Sequence, residues 1–318
     1  MKINHVMSSN TQSGIYDSLV AYFEKYATDC EIYKSEKPLE GMDIYHYYRP
    51  HLEKKLMDNS VVTVHHDLHD TDSWLSIDKF IERYKEAKSI ICLNSNQEKI
   101  LNNLGIENTI VIPHGYNENI FNINQKRIYN KSDKLKIGLI SKRYGRKVKG
   151  EAYFYEIIKY LDNTKFEFIL VGDGRIDDAY KLQQWGFSVE VYEYLPYRSF
   201  NSLYKSIDVL LMISLFEGGP ANIPEAIVTK TPVFGFDIGM VSDYVKDNKN
   251  GIILTGDVKQ DAKIMNSFAV DRNKFKKMID ECNKHHPNLY SWQEVINKNV
   301  DVYKEISLNN ILKIEESI

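Results

Sequence analysis

The sequence contains few cysteines, no excess of positive charge and no long apolar run, and each absence argues against a class of protein. Its three cysteines, Cys30, Cys92 and Cys282, are scattered and form no CxxC pair, which argues against a structural zinc site and for reduced thiols. The net charge of −3 excludes a strongly basic nucleic-acid-binding protein. No apolar stretch approaches the roughly 20 residues of a membrane span, and residues 1–5 lack a signal-peptide core. We therefore expect a soluble, cytoplasmic protein.

What the 318 residues do contain is a regular alternation of short apolar runs with helical patterns. This alternation is typical of parallel sheets covered by helices. A polar, Asn-rich segment separates five predicted strands from six others. The predicted strands are residues 4–7, 44–47, 61–65, 90–93 and 109–112, then 136–140, 166–171, 189–192, 209–213, 233–236 and 252–254. We predict an α/β fold with two doubly wound parallel-sheet domains, each large enough for its own core.

The segment from Phe216 to Ala226 carries the densest chemical signal. It follows the predicted strand 209–213 and holds two carboxylates, a glycine pair and a predicted helix start. A strand that leads into a helix places this loop at the carboxyl edge of the sheet, where α/β proteins bind ligands. Glycines let backbone amides approach a ligand, and a helix start suits phosphate. The candidate residues are Glu217, Gly218, Gly219, Asn222, Ile223 and Glu225. We predict a site for a sugar or nucleotide that carries phosphate.

A structural interpretation of the same residues stays open. Asn222 and Glu225 stand three positions apart at a predicted helix start, which also fits a capping box. Glu225 would then be only a helix-start carboxylate. Glu217 is harder to explain structurally, because an acidic loop residue between a buried strand and two glycines is more often functional.

The spacing of Glu217 and Glu225 resembles the E-x7-E motif of family-4-like retaining glycosyltransferases of the GT-B fold, and Thr231-Pro232-Val233 resembles its continuation. The resemblance implies that Glu217 meets hydroxyls of the donor sugar and that Glu225 holds the ribose hydroxyls of the nucleotide. Residues 218–221 read Gly-Gly-Pro-Ala where many members have Gly-Phe-Gly-Leu.

A second set of candidate residues follows the predicted strand 136–140. Five of the eight residues from Lys142 to Lys149 are basic, and fixed cations near a ligand-binding edge can stabilise a departing diphosphate. Family members carry an Arg and a Lys six apart there, with Gly after the Lys. Arg143, Lys149 and Gly150 match, so the resemblance implies that Arg143 and Lys149 bind the donor phosphates. It also places Tyr194 where members pass the nucleobase.

The resemblance extends to the first half of the chain. Gly14 matches a glycine that lets the backbone approach the donor phosphate. His65 matches the strand-end histidine that faces the donor sugar, and His66 is an alternative match. Residues 65–70 include three His and two Asp. Because the side chains of neighbouring residues point apart, we expect no metal site there.

The resemblance implies two Rossmann-like domains that face each other across a cleft. The predicted organisation is an acceptor-side domain at 1–120, a linker at 121–134, a nucleotide-sugar domain at 135–290 and a helix at 291–318 that returns to the first domain. The implied activity is a metal-independent, retaining transfer of a hexose-type sugar from a nucleoside-diphosphate donor, most often a UDP-sugar. No cofactor beyond the donor is expected.

The implied acceptor is a hydroxyl of a glycan, lipid-linked or protein-linked molecule in cell-surface glycan assembly, and a lipid-linked one would be met at the inner face of the membrane. Two other functions fit the architecture. One is a non-catalytic partner subunit of another transferase, and the other is a nucleotide-sugar epimerase. Joint presence of Glu217, Glu225, Arg143 and Lys149 argues against the first, and the E-x7-E match argues against the second.

Overall fold

The structure is a computed structural model that describes residues 1–8, 14–129, 132–284 and 288–315, with the backbone alone for 309–315. Its contacts divide the chain into two compact units. Unit 1 comprises Met1–Gly115 and the chain from Tyr290 onward, and unit 2 comprises Tyr116–Leu289. Within the described residues, no helix combines the length and apolar character that a membrane crossing requires.

Unit 1 is built on a six-stranded sheet in which every neighbouring pair is parallel, in the order β2-β1-β3-β4-β5-β6. Its strands are β1 (Lys2–Val6), β2 (Glu31–Ser35), β3 (Ile44–Tyr47), β4 (Ser60–Val64), β5 (Ser89–Cys92) and β6 (Thr109–Val111). Its helices are α1 (Gly14–Tyr26), α2 (Ile77–Glu86), α3 (Ser95–Asn103) and α11 (Trp292–Glu315). The central strands β3 and β4 are buried along their full length, as helices on both faces of a parallel sheet require.

The C-terminal helix α11 completes the core of unit 1. Trp292 stacks on Tyr22 of α1 with 4.7 Å between ring centroids. The hydroxyl of Tyr303 lies 2.6 Å from Nδ1 of His46 on β3, and Nε2 of that histidine lies 2.7 Å from Thr63 Oγ1. Helix α11 therefore forms part of the same packed unit as the first sheet, although the whole of unit 2 separates it in sequence from β6.

Unit 2 is built on a second six-stranded parallel sheet, in the order β12-β11-β10-β7-β8-β9. Its strands are β7 (Leu135–Ile140), β8 (Phe166–Val171), β9 (Ser188–Tyr192), β10 (Val209–Met212), β11 (Val233–Gly235) and β12 (Gly251–Ile253). Its helices are α4 (Glu151–Ile158), α5 (Ile176–Gln184), α6 (Phe200–Ser206), α7 (Asn222–Val228), α8 (Val241–Tyr244), α9 (Val258–Val270) and α10 (Arg272–Lys284). Apolar clusters cover both faces of the sheet.

The predicted α/β fold with two parallel sheets is confirmed, and each predicted strand overlaps an observed one. One strand was missed, since β2 was not predicted. The residues predicted as a linker, 121–134, lie within unit 2. Arg127 of this segment donates hydrogen bonds to the Tyr204 carbonyl at 3.0 Å and to Thr231 Oγ1 at 2.8 Å. The predicted domain boundaries and the roles of the domains stay predictions.

Candidate active site

The predicted donor site lies at the point where the strand order of unit 2 reverses. From β7 the chain adds β8 and β9 on one side, and β10 to β12 on the other. The loops after β7 and β10 therefore leave the sheet side by side, at the position where such sheets bind ligands. The backbone N–H of Leu215 donates to the Val148 carbonyl at 2.8 Å and ties the two loops together.

Gly150 explains how closely these loops approach. It precedes α4 with a φ of +79°, and a Cβ atom built there would collide with the carbonyl oxygen of Ile213. An L-residue with a side chain would be strained in this left-handed conformation and would push the loops apart. The glycine that the sequence analysis placed after Lys149 is thus required by packing.

The structure brings Lys149 and Glu217 into direct contact. The Nζ atom of Lys149 donates a hydrogen bond to Oε1 of Glu217, and both side chains are largely buried, with 15% and 12% of their surface exposed. Nζ also lies 5.4 Å from the ring centroid of Tyr144. Two residues predicted for different parts of the donor, the phosphate and the sugar, therefore form an ion pair in the free protein.

Arg143, the other predicted phosphate residue, points to the acidic first turn of α5. Its Nη1 atom donates to Oδ2 of Asp177 at 2.9 Å and lies 3.8 Å from Oδ1 of Asp178. A second arginine, Arg175, is fully buried and donates to Oδ2 of Asp178 at 2.6 Å. Because this ion pair is fully buried, Arg175 has a structural role. The Arg143 guanidinium remains 23% exposed.

Glu225 is buried between two tyrosines. The Tyr197 hydroxyl donates to Oε1 at 2.6 Å and the Tyr204 hydroxyl donates to Oε2 at 2.8 Å. Burial raises the pKa of Glu225 to about 7, although both hydrogen bonds act in the opposite direction. The contacts of these two tyrosines with Glu225 are not predicted from the sequence, because no local spacing links them to that residue.

The capping-box interpretation is wrong. Helix α7 begins at Asn222, and its N-cap residue Ala221 makes no side-chain capping hydrogen bond. The Oδ1 atom of Asn222 accepts no hydrogen bond from a described residue, and its Nδ2 atom donates to the Ile140 carbonyl at 3.2 Å. Ile223 is fully buried and its backbone N–H donates to Pro220.

The remaining predicted residues of unit 2 differ in exposure. Gly218 is buried and Gly219 is half-buried beside Glu217. Gly239 packs on this segment, and a Cβ atom at Gly239 would lie 3.2 Å from Cβ of Glu217. Tyr194 follows β9 with 80% of its surface exposed. The glycines thus give the turn its compact shape, whereas Tyr194 is an accessible side chain.

In unit 1, His65 follows β4 and lies among aromatic rings. It stacks on Tyr48 at 5.3 Å and meets the edge of Tyr16 at 5.2 Å. Burial, and next the neighbouring His114 and Arg49, hold the pKa of His65 well below its usual value, so the ring is neutral at pH 7. Its Nε2 atom is buried and has no hydrogen-bond partner among the described residues.

His66, the alternative match, occupies a different environment. Its Nε2 atom lies 2.8 Å from the Tyr84 hydroxyl, and its ring stacks on Phe80 at 4.0 Å. These contacts favour a structural role for His66. Gly14 begins α1 with open space around its Cβ position, and its neighbours 9–13 lie outside the described residues. In the described part of the chain, no group of three His, Cys, Asp or Glu side chains is placed to hold a metal ion.

A family model, two relatives and a solved structure are similar to this chain. The family model described as "Glycosyl transferases group 1" matches residues 121–285. An uncharacterised glycosyltransferase of Methanocaldococcus jannaschii is 24% identical over 285 residues, which is 84% of this chain and 77% of that protein. An uncharacterised protein in the cps region of Klebsiella pneumoniae is 25% identical over 176 residues, 55% of this chain. The match spans only 48% of the Klebsiella protein.

Among solved structures, HepE of Anabaena in complex with UDP and glucose superposes with a TM-score of 0.70 at 16% identity. The match covers 96% of this chain and 100% of that one. At this level of identity the likeness concerns the fold alone. The predicted GT-B fold is confirmed.

Proposed function

The chain belongs to the glycosyl transferases group 1 family, and from this premise we propose that it is a retaining hexosyltransferase. The donor is a nucleoside-diphosphate sugar, with UDP-sugars as the first candidates because the HepE structure contains UDP. The acceptor is a hydroxyl of a glycan, lipid-linked or protein-linked molecule in cell-surface glycan assembly. A lipid-linked acceptor would bring the protein to the inner face of the membrane. Unit 2 is the nucleotide-sugar domain and unit 1 is the acceptor-side domain.

The observation that carries this proposal is the ion pair of Lys149 and Glu217 at the switch point of unit 2. A diphosphate that binds Lys149 replaces the carboxylate as its counter-ion and makes Glu217 available to accept hydrogen bonds from sugar hydroxyls. The ammonium then offsets the charge that develops on the diphosphate oxygen as the bond to the anomeric carbon breaks. Such stabilisation is strongest where water is excluded, and both side chains are largely buried.

Other residues complete the donor site. Arg143 adds a second cation if its guanidinium shifts from Asp177 to the phosphates. Glu225, oriented by two tyrosine hydroxyls, accepts hydrogen bonds from the ribose. The turn at Gly218 and Gly219 and the start of α7 at Asn222 and Ile223 line the phosphate and sugar. The backbone at Tyr194 passes the nucleobase, and Gly14 lets the backbone approach the phosphate.

His65 is the proposed partner of the donor sugar in unit 1. A neutral imidazole with an unpaired Nε2 atom can exchange a hydrogen bond with a sugar hydroxyl near the anomeric carbon. A cation at that place would oppose the positive charge that develops on the sugar, so a low pKa suits this role.

A thermal-shift screen of UDP-, GDP-, ADP- and dTDP-sugars tests the proposal. A donor present at 100 times its dissociation constant should add about 2.7 kcal/mol to the free energy of unfolding. Turnover of the selected donor must then release nucleoside diphosphate only when an acceptor or water takes the sugar. A partner subunit would bind without turnover, and an epimerase would convert the donor without releasing diphosphate. Absence of any nucleotide-dependent shift would refute the proposal.

A further inference from the structure

The sheet of unit 1 has its own switch point, and Arg49 lies beside it. From β1 the chain adds β2 on one side and β3 to β6 on the other. Arg49 and His51 follow β3, in and next to the short 3-10 helix Pro50–Leu52, and His65 follows the neighbouring strand β4. The carboxyl edge of a parallel sheet at such a point is where ligands bind.

These three residues present buried nitrogen atoms that no described group satisfies. Nη1 of Arg49, both ring nitrogens of His51 and Nε2 of His65 have no hydrogen-bond partner among the described residues. The Arg49 guanidinium lies 5.5 Å from the ring centroid of Tyr16. Most buried polar atoms in native proteins are hydrogen-bonded, so four unpaired nitrogens in one region indicate ligand groups with acceptor atoms.

Arg49 acts electrostatically on both histidines of this region. Burial lowers the pKa of His51 to about 4 with a further contribution from Arg49, and the same arginine contributes to the low pKa of His65. At neutral pH both rings are therefore uncharged, and Arg49 holds a fixed positive charge. A guanidinium fork and imidazole N–H groups together match the oxygens of a phosphate group.

An exposed aromatic side chain adjoins this region. Trp74 is 46% exposed and meets the His51 ring at 4.9 Å in an edge-to-face contact, and Phe80 packs against the same ring at 4.1 Å. An exposed indole beside a polar group offers an apolar face to a sugar ring and a polar edge to its hydroxyls.

We propose that Arg49 and His51 form a subsite for a phosphate group carried by the acceptor, with Trp74 against the adjoining sugar or polyol, while His65 keeps the role proposed above. The acceptor would thus be a phosphate-bearing glycan. The assignment of this glycan as the acceptor rests on the proposed transferase function. The binding of phosphate by Arg49 can be tested independently of that function.

The binding test uses the full chain and follows the histidine ring signals by NMR during titration with glycerol 3-phosphate, with glycerol as the uncharged control. We expect saturable shifts of the His51 signals with glycerol 3-phosphate and none with glycerol. Arg49→Gln should weaken binding at least about tenfold, the range for a lost hydrogen bond to a charged group. Arg49→Lys, which keeps the charge and loses the fork, should bind with intermediate affinity.

Lys79→Gln is the matched control, because it removes one positive charge from an exposed position on α2 of the same unit. It should titrate like the natural protein, and melting curves of all variants establish that they are folded. Arg49→Gln with unchanged phosphate affinity, or equal shifts with glycerol, would overturn the proposal. If Arg49→Gln does not fold, the comparison of Arg49→Lys with Lys79→Gln decides the same question.

A second titration, in saturating UDP, identifies the source of the phosphate. If the subsite serves the acceptor, glycerol 3-phosphate still binds, and Arg49→Gln leaves UDP affinity unchanged. If UDP alone saturates the histidine shifts and Arg49→Gln weakens UDP, the subsite belongs to the donor and the acceptor assignment is wrong. Lack of sugar transfer would refute the transferase function alone, because the first titration contains no donor.

Discussion

At the residue scale, Lys149 and Glu217 serve as each other's counter-ion in the free protein. We predict that Lys149→Ala weakens UDP binding by about 1.5–3 kcal/mol, the usual value of a hydrogen bond to a charged group, and barely affects uridine. Arg143→Ala should have an effect in the same range. Calorimetry with UDP and uridine measures both.

Two variants control this prediction. Lys142→Ala removes an exposed cation from the same loop and should leave UDP affinity unchanged. Glu217→Gln releases Lys149 from its ion pair and should lower turnover without weakening UDP. Equal losses for uridine and UDP in Lys149→Ala would show that the lysine does not bind phosphate.

The buried carboxyl of Glu225 couples stability to pH. The ordinary pKa of this side chain is 4.5 and its pKa in the fold is about 7, so the folded state binds the proton more tightly. The stabilisation is complete below pH 4.5 and is lost as pH rises through 7. At 1.36 kcal/mol per pKa unit, Glu225→Gln should gain on the order of 3 kcal/mol relative to the natural protein between pH 4 and 8.

Urea unfolding at several pH values measures this difference. Glu156→Gln, at an exposed carboxylate of α4, should show no comparable trend. Glu225→Gln should also weaken UDP, because an amide lacks the acceptor capacity of a carboxylate. A variant with raised stability at pH 8 and unchanged UDP affinity would give Glu225 a purely structural role.

We predict that activity requires no metal ion and depends on His65. Because Lys149 and Arg143 supply positive charge for the diphosphate, we expect activity to persist after treatment with a chelator. His65→Ala should reduce turnover more than His69→Ala, whose side chain is exposed. Assays before and after chelation, with elemental analysis, check both statements. Activity restored only by one added metal would contradict them.

The sequence predicts which side chains lie in the loops at the ligand-binding edge of each sheet. It does not predict contacts between residues that only tertiary packing brings together. Glu217, Lys149 and Gly150 stand in motif positions of the loops that follow β10 and β7, so their convergence at one sheet edge could be expected. Tyr197 and Tyr204 lie more than 20 residues from Glu225, and only the packing of α6 and of the short 3-10 helix Tyr197–Ser199 before it against α7 brings them together. Arg49 comes after a strand without any motif, so its unpaired guanidinium nitrogen is visible only in the structure.

At the element scale, the start of α4 fixes the phosphate loop. Gly150→Ala forces a side chain into a left-handed backbone, at a cost of roughly 1–2 kcal/mol. It also drives a Cβ atom into the Ile213 carbonyl, and overpacking typically costs roughly 1–3 kcal/mol. We therefore predict a marked loss of stability together with weaker UDP binding, measured by urea unfolding and calorimetry.

Gly145→Ala is the matched control in the same loop, since its Cβ position is open and its φ is not positive. It should change neither quantity appreciably. Similar losses of stability and UDP affinity in both variants would show that the loop tolerates no added side chain. The explanation from the contact of Gly150 with Ile213 would then be wrong.

The burial pattern of β2 explains why this strand was not predicted from the sequence. Strand β2 lies at the sheet edge, and its residues Glu31–Ser35 are exposed or half-buried with polar side chains. Strands with helices on both faces read as continuous apolar runs, whereas an edge strand does not. Strands such as β4 and β10, buried at every position, gave the clear signal.

At the scale of the whole molecule, the two units have separate cores and should respond separately to the donor. We predict that UDP slows amide hydrogen exchange most strongly in unit 2, within residues 141–150 and 214–226. Ligand binding lowers the population of locally opened states only where contacts form. Exchange mass spectrometry maps this response, and a largest effect in unit 1 would contradict the placement of the donor site.

The chain order of the two units has a consequence for how the protein is made. Unit 2 is one uninterrupted segment, whereas unit 1 needs residues from both sides of it. The ribosome synthesises the chain from its N-terminus, so all of unit 2 emerges before α11. Helix α11 contributes Trp292 and Tyr303 to the core of unit 1. Unit 2 can therefore fold during synthesis, while the half of the molecule that is made first must wait for the last helix to close its core.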